Sequence, residues 1–214
     1  MMLLPQSQEM RRNMVDSQLR TSGVSTPWII AAMLATPREA FVADANSAVY
    51  MDRSVPLSSG RMLNPPLAAG QMLMVADPKA TDRVLLIGAG TGYLAALLAR
   101  RVTSLVAVEE TAALSDSFAS ALPDVKLLRS AHHAGAPDDG PFDLIIIDGA
   151  IEELPQTLIE QLADGGRIVT GVTDGPVSRL ATGVKRGSHL ALLTVADMEI
   201  AALPGFARAK EFVF

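Results

Sequence analysis

The stretch "RVLLIGAGTGYLAALLA", residues 83–99, constrains the fold more than any other part of the chain. Four apolar residues after Arg83 suit a strand buried on both faces. Three glycines then permit a tight turn, and the alanine- and leucine-rich run that follows suits a helix. A strand that passes through such a turn into a helix predicts a βαβ unit, because a parallel neighbour is reached only through a crossover.

The sequence beyond it repeats that order. "SLVAVE", "VKLL", "FDLIIID" and "GRIVTGV" are predicted strands, while "YLAALLARR", "TAALSDSFASAL" and "LPQTLIEQL" are predicted helices. Strands that are apolar throughout and separated by amphipathic helices predict an α/β fold, Rossmann-like, with a mostly parallel sheet covered on both faces. Right-handed crossovers leave few topologies. The tail differs: "VSRLATGVKRGSHLALLTVADM" carries two strand-like runs around Arg186-Gly187, and "ARAKEFVF" reads as another strand. Antiparallel strands are therefore expected at one edge.

Ahead of the sheet, Met10, Met14, Val15 and Leu19 recur at helical spacing from Gln8 to Leu19, and Gly23 reads as a stop. Thr26 is placed to cap the next helix and Pro27 to occupy its first turn. Pro37 ends or bends that helix and leaves "REAFV" as a short third one. Residues 45–63 read as irregular, and as long for a loop without a task. "LAAGQMLMVA" follows Pro65-Pro66 as a helix. The expected division is residues 1–80 as a helical cap and substrate loop, and 81–214 as the α/β domain, in one compact unit. Trp28 and the methionines are assigned to packing in the cap, and Met1-Met2 to a disordered start.

Composition narrows the chemistry. The 214 residues are about half apolar, enough for one well-buried domain with a smaller appendage. With no cysteine, a disulfide framework, a thiolate metal site and a thiol nucleophile are all excluded, and three histidines leave little for an imidazole cluster, so no metal is expected. A net charge of −5, with Arg11-Arg12 and Lys185-Arg186 as isolated basic pairs, argues against a nucleic-acid partner. No stretch has the length of a membrane span or the form of a signal peptide, so the expectation is a cytoplasmic protein.

A turn like Gly88-Ala89-Gly90-Thr91-Gly92 can present backbone N–H groups to a phosphate or a carboxylate. Tyr93 follows the third glycine where a P-loop has lysine, which disfavours a nucleoside triphosphate. Glu109 closes the second strand 21 residues after Gly88, and a carboxylate there can accept both hydroxyls of a ribose. Together they indicate an adenosine-containing ligand. The packed "GAGTG" lacks the spacing of nicotinamide dinucleotide sites and favours S-adenosylmethionine over a dehydrogenase. The bland alternative is a tight turn beside a solvated strand end.

At this point the chain resembles the protein-L-isoaspartate O-methyltransferase family of class I methyltransferases. The likeness runs from about Met14 to Val169 through "MVDSQLRTSGV", "AMLATPREAFV", "AVYMDRSVPLSSG", "VLLIGAGTGYLAALLA", "VAVE", "GPFDLIIIDGA" and "LPQTLIEQLADGGRIV". It implies methyl transfer from S-adenosylmethionine to the free carboxylate of isoaspartyl residues in damaged proteins, leaving S-adenosylhomocysteine. Gly88, Ala89, Gly90 and Gly92 would wall the methionine part, Glu109 would hold the ribose, and Ala131 and His132 would edge the adenine. A monomer or weak homodimer with a damaged polypeptide as partner is the corresponding expectation.

Four departures accompany the resemblance. Aligned from Pro56 and Gly60, Asn64 stands for the family's active-site serine and Met62 for its threonine. Ser130-Ala131-His132 stands for Gly-Asp-Gly, so the adenine-binding acid is missing, and Asp138 or Asp139 is the candidate replacement. Asp148 replaces a small or hydroxyl residue at the tip of the fourth strand, and Leu86 stands where many relatives carry an acid. Asn64 and Asp148 are the candidate catalytic residues. Their bland readings are a cap on the following helix for Asn64 and on the following turn for Asp148, with His132-His133 as loop residues. A non-catalytic cofactor-binding or protein-interaction relative, and a methyltransferase for another carboxylate or small acceptor, are the competing functions.

Overall fold

A computed structural model describes residues 4–44, 47–175 and 177–208. Met1-Met2, part of the 45–63 segment and the last six residues of the expected strand "ARAKEFVF" lie outside them. Helix α1 (Leu4–Met14) continues through a widened turn at Val15–Leu19 and a tight one at Arg20–Ser22, and stops at Gly23, where φ is +88°. Helix α2 (Pro27–Ala35) starts on Pro27 as expected. The Thr26 side chain makes no capping bond, however; its carbonyl accepts from Ile29 and Ile30, and the proline supplies the start. "REAFV" is a single turn over Arg38–Phe41.

The irregular segment folds back on itself as a small antiparallel ladder of β1 (Val55–Pro56) and β2 (Met62–Leu63), its tip turning through Ser59 at φ +57°. Helix α3 (Pro66–Ala76) follows. The sheet and its helices then appear in the expected order: β3 (Arg83–Ile87), α4 (Tyr93–Leu98), β4 (Ser104–Val108), α5 (Ala112–Ala121), β5 (Lys126–Leu128), β6 (Phe142–Ile151), α6 (Gln156–Glu160), β7 (Leu162–Asp174), β8 (Val177–Val184) and β9 (Leu193–Asp197). Among the described residues the strand order is β5-β4-β3-β6-β7-β8-β9, parallel through β7 and antiparallel for β8 and β9. Strand order reverses about β3, between β4 and β6, which opens the crevice in which such sheets bind ligands. The glycine turn and Glu109 both stand at its rim.

Alternation along β3 divides the core. Val84 and Leu86 face the helical cap, in one cluster with Leu19, Ile29, Met33, Met72 and Leu98, whereas Leu85 and Ile87 face Phe142, Ile145, Leu158 and Ile168 on the other side. The cap thus shares its core with the sheet. Leu203 and Phe206 join the second cluster from beyond β9. No helix among the described residues is long and apolar enough to cross a membrane.

Arg167 on β7 fastens the α3–β3 connection. It donates to the Ala76 and Asp77 carbonyls at 2.6 and 2.9 Å and to the Asp82 carboxylate at 2.7 Å. Arg167→Ala leaves those acceptors without their donor at a cost of about 2 kcal/mol, and a Tm lower by roughly 4–8 °C is expected in a thermal melt. Arg167→Lys, with one ammonium for three acceptors, is expected to recover less than half of the loss.

Candidate functional site

Three glycines at positive φ, Gly88 (+72°), Gly90 (+57°) and Gly92 (+103°), turn the chain from β3 into α4. Four of the five amides that sequence reasoning offered to a ligand are bonded within the protein. Those of Gly88 and Ala89 donate to the Val108 carbonyl at 3.0 and 3.1 Å, that of Gly90 to Glu109 Oε2 at 2.8 Å, and that of Gly92 to the Ala89 carbonyl at 2.9 Å. The turn is therefore tied to the end of β4.

Glu109 is fully buried, and its two oxygens have a complete set of partners. Arg61 Nη1 lies 2.9 Å from Oε1 and 3.0 Å from Oε2, the Thr111 amide donates to Oε1 at 2.9 Å, and the Gly90 amide donates to Oε2. These four contacts match the roughly four lone-pair positions of a carboxylate. Arg61, 4% exposed, also donates from Nη2 to the Gly88 carbonyl at 3.2 Å. Burial alone would raise the Glu109 pKa; His132, the Arg61 charge and the Thr111 amide outweigh it and hold the carboxyl at about 2.

His132 is buried beside Glu109. Its Nε2 is 3.4 Å from Glu109 Oε1, its Nδ1 3.2 Å from the Pro204 carbonyl, and its ring stacks on Phe206 with 6.5 Å between centroids. Ala131 precedes it with its side chain partly exposed, whereas His133 is an exposed loop residue. Neither acid proposed as a replacement for the missing adenine partner reaches this end of the sheet. Asp139 pairs with Lys126 and its carbonyl accepts from Arg83, at the starts of β5 and β3, and Asp138 is exposed beside it. The chain turns back toward the opposite end of the strands before these residues occur.

Asn64 and Asp148 meet. Asn64 Nδ2 donates to Asp148 Oδ1 at 2.7 Å, while its Oδ1 accepts from the Ala201 amide at 2.8 Å and its carbonyl from the buried Arg38. Neither bland reading holds: Asn64 does not cap α3, whose first turn is supplied by Pro65 and Pro66, and Asp148 turns to Asn64. Burial raises the Asp148 pKa, against the Asn64 bond and the Arg61 and Arg38 charges. Arg38 also lies over the Tyr93 ring, 4.8 Å from its centroid.

Two contributors went unread in the sequence. Arg61 sat in a loop noted only for its neighbours, and residues 199–206 followed the last foreseen strand before "ARAKEFVF". That segment crosses the strand ends as a strap. Ala201 O accepts from the Ala150 amide, the Leu203 amide donates to Ala150 O, and the Glu153 amide donates to Phe206 O. Glycines make its room: a Cβ on Gly88 would stand 2.8 Å from the Leu203 side chain, one on Gly149 2.7 Å from Leu203 Cβ, and one on Gly171 2.8 Å from Ile200. Gly149 in "IIIDGA" and Gly171 in "VTGV" were the available signal.

S-adenosylmethionine needs two acceptors for its ribose hydroxyls and open surface above the glycine turn. Here the acceptors serve Arg61, and Leu203 lies on Gly88. The cofactor therefore enters only when Arg61 and Leu203 leave these positions. Beside the turn, a cleft of about 590 Å³ remains between Phe41, Val42, Leu57, Ser58, Thr91 and Leu114, with Asp44 at its margin.

Comparison with known proteins agrees with the architecture. A sequence model described as protein-L-isoaspartate(D-aspartate) O-methyltransferase (PCMT) matches residues 9–200. Protein-L-isoaspartate O-methyltransferase 1 of Geotalea uraniireducens is 34% identical over 185 residues, covering 84% of each chain. The Methylorubrum extorquens protein-L-isoaspartate O-methyltransferase is 37% identical over 174 residues, 79% of this chain and 76% of the relative. Among solved structures, a protein-L-isoaspartate O-methyltransferase superposes with a TM-score of 0.79 at 23% identity, over 91% of this chain and 66% of its own. A Plasmodium falciparum protein described as a putative member, in complex with S-adenosyl-L-homocysteine, gives 0.76 at 17% identity over 92% and 97%. The fold is thus the class I methyltransferase fold.

Two outcomes test this geometry. Gly88→Ala places a methyl group against Leu203 at a positive φ and is expected to destabilise by about 2 kcal/mol. In a denaturant-unfolding double-mutant cycle, Leu203→Ala is expected to couple to it by about 1 kcal/mol. Glu109, with its folded pKa depressed from 4.5 to about 2, stabilises the fold above pH 4.5 and loses that contribution as pH falls through the folded value. Glu109→Gln is expected to flatten the decline of the urea midpoint across that window.

Proposed function

Because this chain belongs to the protein-L-isoaspartate O-methyltransferase family, whose fold it has and whose match supports S-adenosylmethionine-dependent methyl transfer as a class, we propose that it transfers a methyl group from S-adenosylmethionine to an isoaspartyl carboxylate, with Arg61 and Leu203 moving off the crevice when the cofactor enters. The single observation that carries this reading is the convergence of the glycine turn, Glu109 and the Asn64–Asp148 pair at one end of the sheet. A ribose reaches Glu109 by replacing Arg61 as its donor, so the carboxylate keeps partners throughout.

The acceptor side departs from the family. Asn64, in the place of the family's serine, spends its Nδ2 bond on Asp148 and its oxygen on the strap, so its amide is committed to holding the β1–β2 ladder against β6 and residue 201. A substrate carboxylate beside Asp148 would meet a carboxyl group, which is unfavourable whenever both are ionised. The cleft lined by Phe41, Val42, Leu57 and Leu114 stays accessible between the cap and α5. It suits apolar side chains of a polypeptide better than a phosphate backbone, in keeping with the acidic net charge of −5.

A second reading is a non-catalytic relative that binds polypeptide with the crevice closed. It is favoured by the bonds Glu109 makes to Arg61 and two backbone amides and by Leu203 over Gly88.

The deciding experiment supplies labelled S-adenosylmethionine with paired peptides, one isoaspartyl and one aspartyl, and titrates S-adenosylhomocysteine by calorimetry. A heat of cofactor binding and label transfer to the isoaspartyl peptide alone are expected. No label transfer and no heat of binding, with the peptides binding equally with and without cofactor, would establish the second reading in place of the first.

A further inference from the structure

Asp148 brings a second carboxyl group to the end of the sheet where an acceptor carboxylate has to lie. Its Oδ1 accepts from Asn64 Nδ2 at 2.7 Å, and its Oδ2 accepts from no described residue. The side chain is half-buried, with Oδ2 not sealed from solvent. The Asn64 amide cannot turn over, because its own oxygen accepts from the Ala201 amide at 2.8 Å. One carboxyl oxygen is therefore fixed and the other is free to meet a ligand. Three charged groups act on it: Arg61 from the β1–β2 ladder, Arg38 from the turn after α2 and Glu109 from the end of β4. Burial first, and the Glu109 charge after it, raise the Asp148 pKa against the Asn64 bond and the two arginines. Tyr50 and Tyr93 lie near Arg38, and burial raises the pKa of both, which keeps them neutral.

We propose that Asp148 holds the acceptor in its protonated form, with Oδ2–H donating to one oxygen of the isoaspartyl carboxylate while the other oxygen faces the methyl group. The inference rests on the methyl-transfer reading above. Two carboxyl groups within hydrogen-bond distance share one proton, because a second negative charge at that separation is unfavourable. The acceptor must be ionised to attack, so the proton belongs to Asp148. It sits on Oδ2, since Asn64 occupies Oδ1. S-adenosylmethionine supplies the methyl group as a sulfonium: the carbon–sulfur bond breaks as the carbon–oxygen bond forms, and the positive charge on sulfur and the negative charge on the acceptor cancel. The Asp148 proton stays where it was and faces an ester oxygen afterwards, so no base is consumed. When Arg61 moves off the crevice, one of the charges favouring an ionised Asp148 is withdrawn. Cofactor entry and readiness of the acceptor side then act in the same direction.

The test follows label transfer from S-adenosylmethionine to an end-blocked isoaspartyl peptide with no other titratable side chain, using the full-length wild-type chain and Asp148→Asn. The range runs from about pH 5 to about pH 9, where an acceptor carboxyl of ordinary pKa, ~3.9, stays ionised. Glu109, held at about 2, is ionised throughout. For wild type, kcat/KM is expected to fall about tenfold per pH unit above the Asp148 pKa. The fall lies in KM, with kcat level, because a bound carboxylate holds the proton on Asp148. Asp148→Asn, whose amide donates at every pH, is expected to keep KM level. A wild-type profile without the decline, or the same decline in Asp148→Asn, overturns the inference while the methyl-transfer reading stands. No transfer by wild type at any pH overturns both. Should Asp148→Asn not fold, wild type holding S-adenosylhomocysteine is titrated by calorimetry with the isoaspartyl peptide and with the same peptide carrying an amide in place of that carboxyl. A Kd that rises with pH for the acid alone supports the proposal, and parallel Kd values overturn it.

Discussion

The ion pair between Arg61 and Glu109 joins parts of the chain that the sequence keeps far apart. Glu109 ends β4, Arg61 belongs to the β1–β2 ladder, and through the Gly88 carbonyl and the Gly90 amide the pair also grips the turn after β3. Both groups are buried, so each is supportable only in the presence of the other: an isolated charge there would lose its hydration without recompense. Such a pair adds less net stability than well-packed apolar residues would, yet it allows few arrangements of the segments that carry it. The ladder, the glycine turn and Glu109 have to arrive together.

Around that joint, space which the fold leaves at the ends of its parallel strands is occupied by the chain itself. Class I sheets have a crevice where the strand order reverses. Here Gly88, Gly149 and Gly171 open that crevice wide enough for Leu203 and Ile200, and Asn64 ties the strap to β6 through Asp148 and Ala201. Phe206 completes the cover by stacking on His132. Residues that would serve a ligand in an open site become bonds between segments, and the same glycine turn that would pass under a cofactor passes under a leucine.

The architecture was legible because it rests on local regularities. Apolar runs such as 84–87 and 144–147 admit only buried strands, the helices between them are amphipathic, and the change of pattern after Gly175 marked the antiparallel edge. The convergence of Gly88, Glu109 and His132 also followed from their positions at strand ends. What could not be read was occupancy. Arg61 in a polar loop looks like any solvated arginine, since its burial depends on the ladder folding over the sheet, and Thr26 gave no hint that Pro27 would start α2 without its hydroxyl. The strap lacks periodicity altogether; its place is set by the glycines it packs on, Gly171 lying 29 residues before Ile200 and Gly149 54 residues before Leu203. Asp138 and Asp139 looked close to Ala131 in sequence, but the chain reverses between them.

The most direct measurement is a crystal structure of the unmodified chain grown with millimolar S-adenosylhomocysteine. The expected result is a ribose seated on Glu109, with Arg61 turned out of the crevice and Leu203 lifted from Gly88. Arg61 still hydrogen-bonded to both oxygens of Glu109, with no nucleoside beside it, would contradict the account.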